Sequence, residues 1–244
     1  PGQQDDTNSF IDFTPEGFTL IGSSNNNNVS GQTYIYYAVR NNVRTEPKSA
    51  TEVFAMDVGN GNYPCFDSGF AVDSAWVKKT TGSNDWNVGF RKSGAYDMKW
   101  NDNQTNEGSY SAFKWHNSIA WNWGTLGADY QSWMFKRALG FYDVQYWDGN
   151  STSGRQLQHQ LGVTPEMIIA KTRSSLQDGW IVYHKDLATN YYIHVHSSDE
   201  AVTGNNVWTA QAPNSSHFIL GDYAGVNSNG VEYIGQLYAS LEGI

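Results

Sequence analysis

The chain has 244 residues, a net charge of −9, and an apolar share of 39% that is unusually aromatic, with 10 Trp, 15 Tyr and 11 Phe. The charge and the lack of a basic stripe exclude nucleic acid and anionic membrane as partners, because phosphate recognition takes clustered Lys and Arg. The apolar runs are only a few residues long, which predicts no membrane insertion, and the single Cys65 excludes an intrachain disulfide or a cysteine zinc site.

Aromatic and β-branched residues set among Gly, Asn, Ser and Thr favour short strands joined by turns and disfavour helix. From the start of the chain, "GFTLIGSSNNNNVSGQTYIYYAVR" (Gly17 to Arg40) reads as two strands about an asparagine turn. "AWVKK", "WNVGF", "YYIHVH" and "EYIGQLY" then read as further strands of alternating character. The sequence opens Pro-Gly-Gln-Gln with no initiator Met and no signal-type segment, so the expectation is a piece of something longer.

The strands repeat. "GFAVDSAWVKKTTGSNDWNVGF" (from Gly69) aligns with "GVTPEMIIAKTRSSLQDGWIVY" (from Gly162), placing Lys78 on Lys171 and, after a one-residue gap, Trp86 on Trp180. The tail of the unit appears at Gly17 to Arg40, at Tyr130 to Arg137 and at His217 to Ser240. The predicted organisation is therefore the rear half of an incomplete unit at 1–46, a complete unit at 47–137 and another at 138–244. A period near 90 residues means tandem domains rather than a solenoid, and the expected fold is all-β, built of tandem sandwich or jelly-roll-like repeats of short antiparallel strands. An orphaned strand exposes aromatic side chains and an unpaired edge, so Tyr34 to Val39 is expected to pair with a sheet of a complete unit or of a neighbouring subunit.

"YQSWMFKRALGFYDVQYWDGN" followed by "LQHQLGVTPEMIIAKTRSSLQDGWIVYHK" resembles a repeat of tail-fibre and other tail-associated proteins of bacteriophages, especially marine and cyanobacterial ones. Trp133, Met134, Phe135, His159, Leu161, Gly162 and the segment Pro165 to Lys171 carry the likeness. Val72, where the repeat has proline, and the ending Lys114 to Asp129 depart from it. The resemblance implies a place in a virion tail or similar appendage, with other tail proteins as partners and a symmetric homo-oligomer, a trimer by analogy.

Sugar rings stack their apolar faces on indoles while their hydroxyls take amide and carboxylate partners. Trp121, Trp123 and Trp147, which have no counterpart in the other copy, with Asn122, Asp148 and Asn150 beside them, are the candidate glycan platform on loops. The repeat-matched Trp86 and Trp180, with Trp76 and Trp133, read as core. His194 and His196 share a strand face, with His184 on the preceding strand, and three imidazoles are a possible zinc set. The aligned "YDMKWN" has no histidine, so no metal is expected. "NDNQTNEG" (Asn101 to Gly108) reads as a solvated turn rather than a calcium loop, and no cofactor is expected.

No Gly-x-Ser-x-Gly elbow, His-Glu-x-x-His or phosphate loop occurs, and the expectation is no enzymatic activity. The leading reading is a structural and adhesive module of a phage tail fibre or virion appendage, contacting host surface glycan or protein. The alternatives are a secreted carbohydrate-binding module or lectin, and a polysaccharide depolymerase with two facing carboxylates.

Overall fold

The structure is a computed structural model describing residues 11–14, 17–20, 29–36, 46–93, 96–100, 108–109, 113–115, 120–174, 179–188, 190–204, 206–209 and 211–243. The chain divides into two compact units, Pro1–Arg44 and Thr45–Ile244. The first holds an antiparallel hairpin of β1 (Ile11–Thr14) and β2 (Gly17–Leu20).

The strand expected over Tyr34 to Val39 is not formed across its described part. Tyr34 to Tyr36 carries no strand, and Ile35 is fully exposed. Local bonds occupy the backbone just before it: Gln32 N donates to the Val29 carbonyl at 3.2 Å, and Val29 N donates to the Tyr34 hydroxyl at 3.0 Å. Residues 37–39 and the Asn25 to Asn28 turn lie outside the described residues.

The second unit is all-β and antiparallel, and contains two sandwiches in succession. The first is formed by β3 (Phe54–Val58), β4 (Phe66–Asp67), β5 (Ser74–Lys79), β6 (Trp86–Phe90), β7 (Tyr96–Lys99), β8 (Gly108–Ser109), β9 (Phe113–Trp115), β10 (Ala120–Trp123) and β11 (Tyr130–Phe135). The second is formed by β12 (Tyr142–Asp148), β13 (Arg155–Gln158), β14 (Met167–Thr172), β15 (Ile181–His184), β16 (Tyr191–His194), β17 (Val202–Thr203), β18 (His217–Leu220) and β19 (Glu232–Tyr238), with a one-turn helix, α1 (Ala224–Asn227), before its last strand. Among the described residues no helix is long and apolar enough to cross a membrane.

Each sandwich has a six-stranded sheet of the same order, β3-β11-β5-β6-β7-β8 and β12-β19-β14-β15-β16-β17. The last long strand of each lies between its first strand and its third. The register agrees residue by residue. Ser74 pairs with Phe90 as Met167 pairs with His184, and Trp100 N donates to the Trp86 carbonyl as Val195 N donates to the Trp180 carbonyl. Asp73 N donates to the Phe135 carbonyl as Glu166 N does to that of Tyr238. Lys78 therefore corresponds to Lys171, Trp86 to Trp180, Phe135 to Tyr238 and Trp133 to Gln236.

Side chains alternate across each sheet. In the first, Ala75, Val77 and Met134 pack against Phe66 and Trp121 of a small sheet, β4-β10-β9. In the second, Ile168, Ala170, Ile181 and Tyr233 pack with Phe218 of the two-stranded sheet β13-β18. The opposite faces of the two large sheets meet each other in a third core, which joins Val88, Phe90 and Trp100 to Tyr142, Val144 and Trp180. The four layers are thus continuous, and the two sandwiches form one compact unit rather than separate domains.

A tyrosine network is buried in this seam, although Trp76 Nε1, Trp100 Nε1 and Gln236 Nε2 are buried there without a hydrogen-bond partner among the described residues. Ser74 Oγ and the Tyr142 hydroxyl lie 2.6 Å apart, and the Tyr142 and Tyr238 hydroxyls donate to Gln236 Oε1 at 3.0 and 2.8 Å. Burial holds both tyrosine pKa values above their ordinary range, so the network stays neutral.

Candidate functional site

The structure rearranges the expected glycan platform. Trp121 is fully buried and donates its indole N–H to Ser132 Oγ at 2.9 Å. Trp147 is also core: it stacks on Tyr233 at 5.6 Å and donates to the Val226 carbonyl at 2.8 Å. Neither offers a ring to a ligand, because each indole face is spent on neighbouring rings. Asn150 serves its own turn, its Oδ1 accepting from Thr152 N and its backbone N–H donating to Asn227 Oδ1. Asp148 is exposed at the end of β12, next to the buried Trp147. Asn122 and Trp123 lie on β10, and their side chains fall outside the described set.

His194 and His196 do come together, with rings 5.0 Å apart, while His184 Nδ1 faces Asp186 at 3.7 Å. Among the described residues no group of three or more His, Cys, Asp or Glu is placed to hold a metal. The calcium candidate at Asn101 to Gly108 lies almost wholly outside the described residues.

The aromatic surface that remains is on the inner face of the first large sheet. Register places Met56, Trp133, Trp76 and Val88 side by side across β3, β11, β5 and β6, and places Val58, Gln131, Lys78 and Trp86 in the next row. The second sandwich covers the β6 and β7 end of this face. Val88 is fully buried there, Met98 is 3% exposed, and Trp180 stacks on Trp100 at 4.2 Å. The β3 end is left open: Met56 is 57% exposed and Val58 48%.

Between these ends, Trp86 and Trp133 are half-buried, with ring centroids 5.0 Å apart and planes tilted by 34°. At the corresponding positions of the second sandwich, Trp180 and Gln236 are fully buried, and Val144 is 7% exposed where Met56 stands open. The same strand positions are therefore sealed in one sandwich and accessible in the other.

Polar groups border this strip. Gln131 Nε2 donates to the Asp57 and Ser132 carbonyls at 2.8 and 3.0 Å, which fixes the amide and leaves Oε1 as an acceptor. The Lys78 ammonium lies 5.9 Å from the Trp86 ring centroid and donates to the Asn84 carbonyl. Four strands at sheet spacing span about 14 Å, enough for several groups of one ligand. The arrangement offers stacking surface, a fixed acceptor and a cationic donor on rigid strands, which is the chemistry that sugar rings use.

Reading the sequence placed Trp86 and Trp133 in the core because they recur at strand positions. The signal available was the mismatch at the second site, where one copy has Trp133 and the other Gln236.

These features define an all-β double sandwich with an aromatic strip left open on one sheet. The chain belongs to the family described as a domain of unknown function, DUF7483, whose model matches residues 73–244. The matched region starts one residue before β5 and spans both sandwiches, leaving out β3 and β4. No curated protein and no solved structure matches the chain.

Proposed function

We propose that the chain is a structural and adhesive module of a phage tail fibre or similar surface appendage, and that it contacts host-surface glycan through the strip around Trp86 and Trp133. The observation that carries the reading is the lopsided seam: one contact fuses two sandwiches into a stiff body, and the same contact leaves half-buried tryptophans at its open end. A single strip of this size gives weak affinity, and repetition over the subunits of a symmetric assembly, a trimer by analogy, raises avidity. The resemblance of Tyr130 to Lys171 to tail-protein repeats supports the location, with other tail proteins as neighbours.

The test is a glycan array carrying bacterial surface polysaccharides, probed with the chain displayed multivalently, beside its Trp133→Ala variant. Specific binding that the variant loses supports the reading. Release of reducing ends from a bound polysaccharide points instead to a depolymerase. Binding by a monomer at full affinity points to a free carbohydrate-binding module, and absence of binding sinks the adhesive part altogether.

A further inference from the structure

We infer that the glycan taken by this strip carries an anionic sugar, whose carboxylate or sulfate is received by Lys78. The inference rests on the adhesive reading above and names the ligand class of the same site.

Three lysines lie on the strands bordering the strip, and two of them are neutralised. Lys79 pairs with Asp129 at 3.3 Å and Lys99 with Asp85 at 2.7 Å. Lys78 has no carboxylate partner among the described residues, and its ammonium meets only the Asn84 carbonyl and the Trp86 ring. Three ammonium N–H groups are available, and a carbonyl and a π face leave donor capacity toward an anion.

Position strengthens the case. Lys78 sits in register between Gln131 and Trp86, so a ring lying over the indoles brings a substituent to the ammonium without leaving the sheet face. The corresponding Lys171 is fully buried, 5.6 Å from the Trp180 ring centroid. The lysine beside tryptophan is thus common to both sandwiches, and only the first keeps it within reach of solvent.

The net charge of −9 opposes long polyanions. Screening over about 8 Å at physiological salt confines that repulsion, so an acidic residue within a short or mixed glycan is the fitting ligand. An ammonium is a point charge and does not itself choose between carboxylate and sulfate.

The experiment titrates the full chain by ligand-observed NMR with three trisaccharides of equal length: neutral galactotriose, trigalacturonate and a sulfated galactotriose. The expected result is roughly fivefold tighter binding of an acidic form than of the neutral one, the scale of a partly exposed ion pair. Lys78→Gln abolishes that preference, and Lys78→Arg restores it. The acid that binds tighter identifies the anion. Equal binding of neutral and acidic forms, or a preference that survives Lys78→Gln in a folded variant, overturns the inference while the glycan reading stands. Binding of none of the three, with the parent chain also silent on the array, removes both.

Discussion

The indoles of Trp100 and Trp180, one from each sandwich, stack with centroids 4.2 Å apart and planes 28° from parallel, and Trp180 donates its N–H to the Lys99 carbonyl at 2.7 Å. This pair closes the seam between the two large sheets. It also marks the difference in burial between Trp180, which is fully buried, and its counterpart Trp86, which is half-buried beside Trp133 and Lys78.

Truncating the two tryptophans therefore has unequal effects on stability. Trp180→Ala opens a fully buried site and is expected to cost about 3–5 kcal/mol. Trp86→Ala removes a half-buried ring and is expected to cost less than half as much. Urea denaturation of both variants gives the comparison directly.

Function divides the tryptophans differently. Trp133→Ala is expected to lower glycan affinity at least tenfold with the thermal midpoint shifted by a few degrees at most, while Trp121→Ala and Trp147→Ala lower the midpoint strongly through their cores. Calorimetry run beside glycan binding separates the classes. A Trp121→Ala variant of normal stability and reduced binding would return the site to the β10 region.

His159 gives a pH dependence. Its Nε2 faces the Asn214 carbonyl at 2.9 Å and its Nδ1 accepts from Leu161 N at 3.3 Å, an arrangement that suits the neutral ring. Burial lowers its pKa below the ordinary histidine value, outweighing the Asn214 contact. The unfolded chain therefore binds this proton more readily than the folded one. The stability contributed is complete above the unfolded pKa of about 6.5 and is lost as pH falls through the lower folded value. Midpoints measured between pH 8 and pH 5 should fall less steeply in His159→Gln than in the parent, whatever the absolute cost of the change.

Glycines separate by what surrounds them. A Cβ on Gly221 would stand 1.8 Å from the Asn206 carbonyl oxygen, against rigid backbone, whereas a Cβ at Gly154 meets nothing within 4 Å and faces only its φ of +80°. Gly154→Ala is expected to cost about 1–2 kcal/mol, the left-handed penalty alone. Gly221→Ala should exceed that, because the chain itself must move to admit the methyl group. Equal losses in chemical denaturation would refute the close approach.

Much of the fold is legible in the sequence, because alternation and turn residues are local signals. The pairing of Lys78 with Lys171 and of Trp86 with Trp180 follows from aligned letters and reappears as identical strand register. The face-to-face union of the sandwiches is not legible, since the inward side of each large sheet reads the same whether it meets solvent, a ligand or another sheet. That ambiguity put two core tryptophans, Trp121 and Trp147, among the expected platform residues. Trp121 lies in a stretch with the composition of a loop, "WHNSIAWNWG", yet it sits on a short strand whose indole fills a core beside Phe66 and Trp115. Trp86 and Trp133 carry strand spacing and look like core, and only the uneven closure of the seam leaves them half open.

The position of β11 between β3 and β5, matched by β19 between β12 and β14, sets an order of events during synthesis. Phe54 pairs with Phe135 and Tyr142 with Tyr238, so the edge strand of each large sheet is joined to the rest by the strand of that sheet the ribosome releases last. Until that strand emerges, β3 and β12 have no neighbour in their sheets, and β5 and β14 are left as open edges of the remaining meanders. Contacts this distant in sequence slow folding and prolong exposure of the aromatic faces. A nascent chain stalled before Tyr130 is accordingly expected to need more chaperone protection than one stalled after Arg137, whose Val88, Phe90 and Trp100 face still awaits the second sandwich.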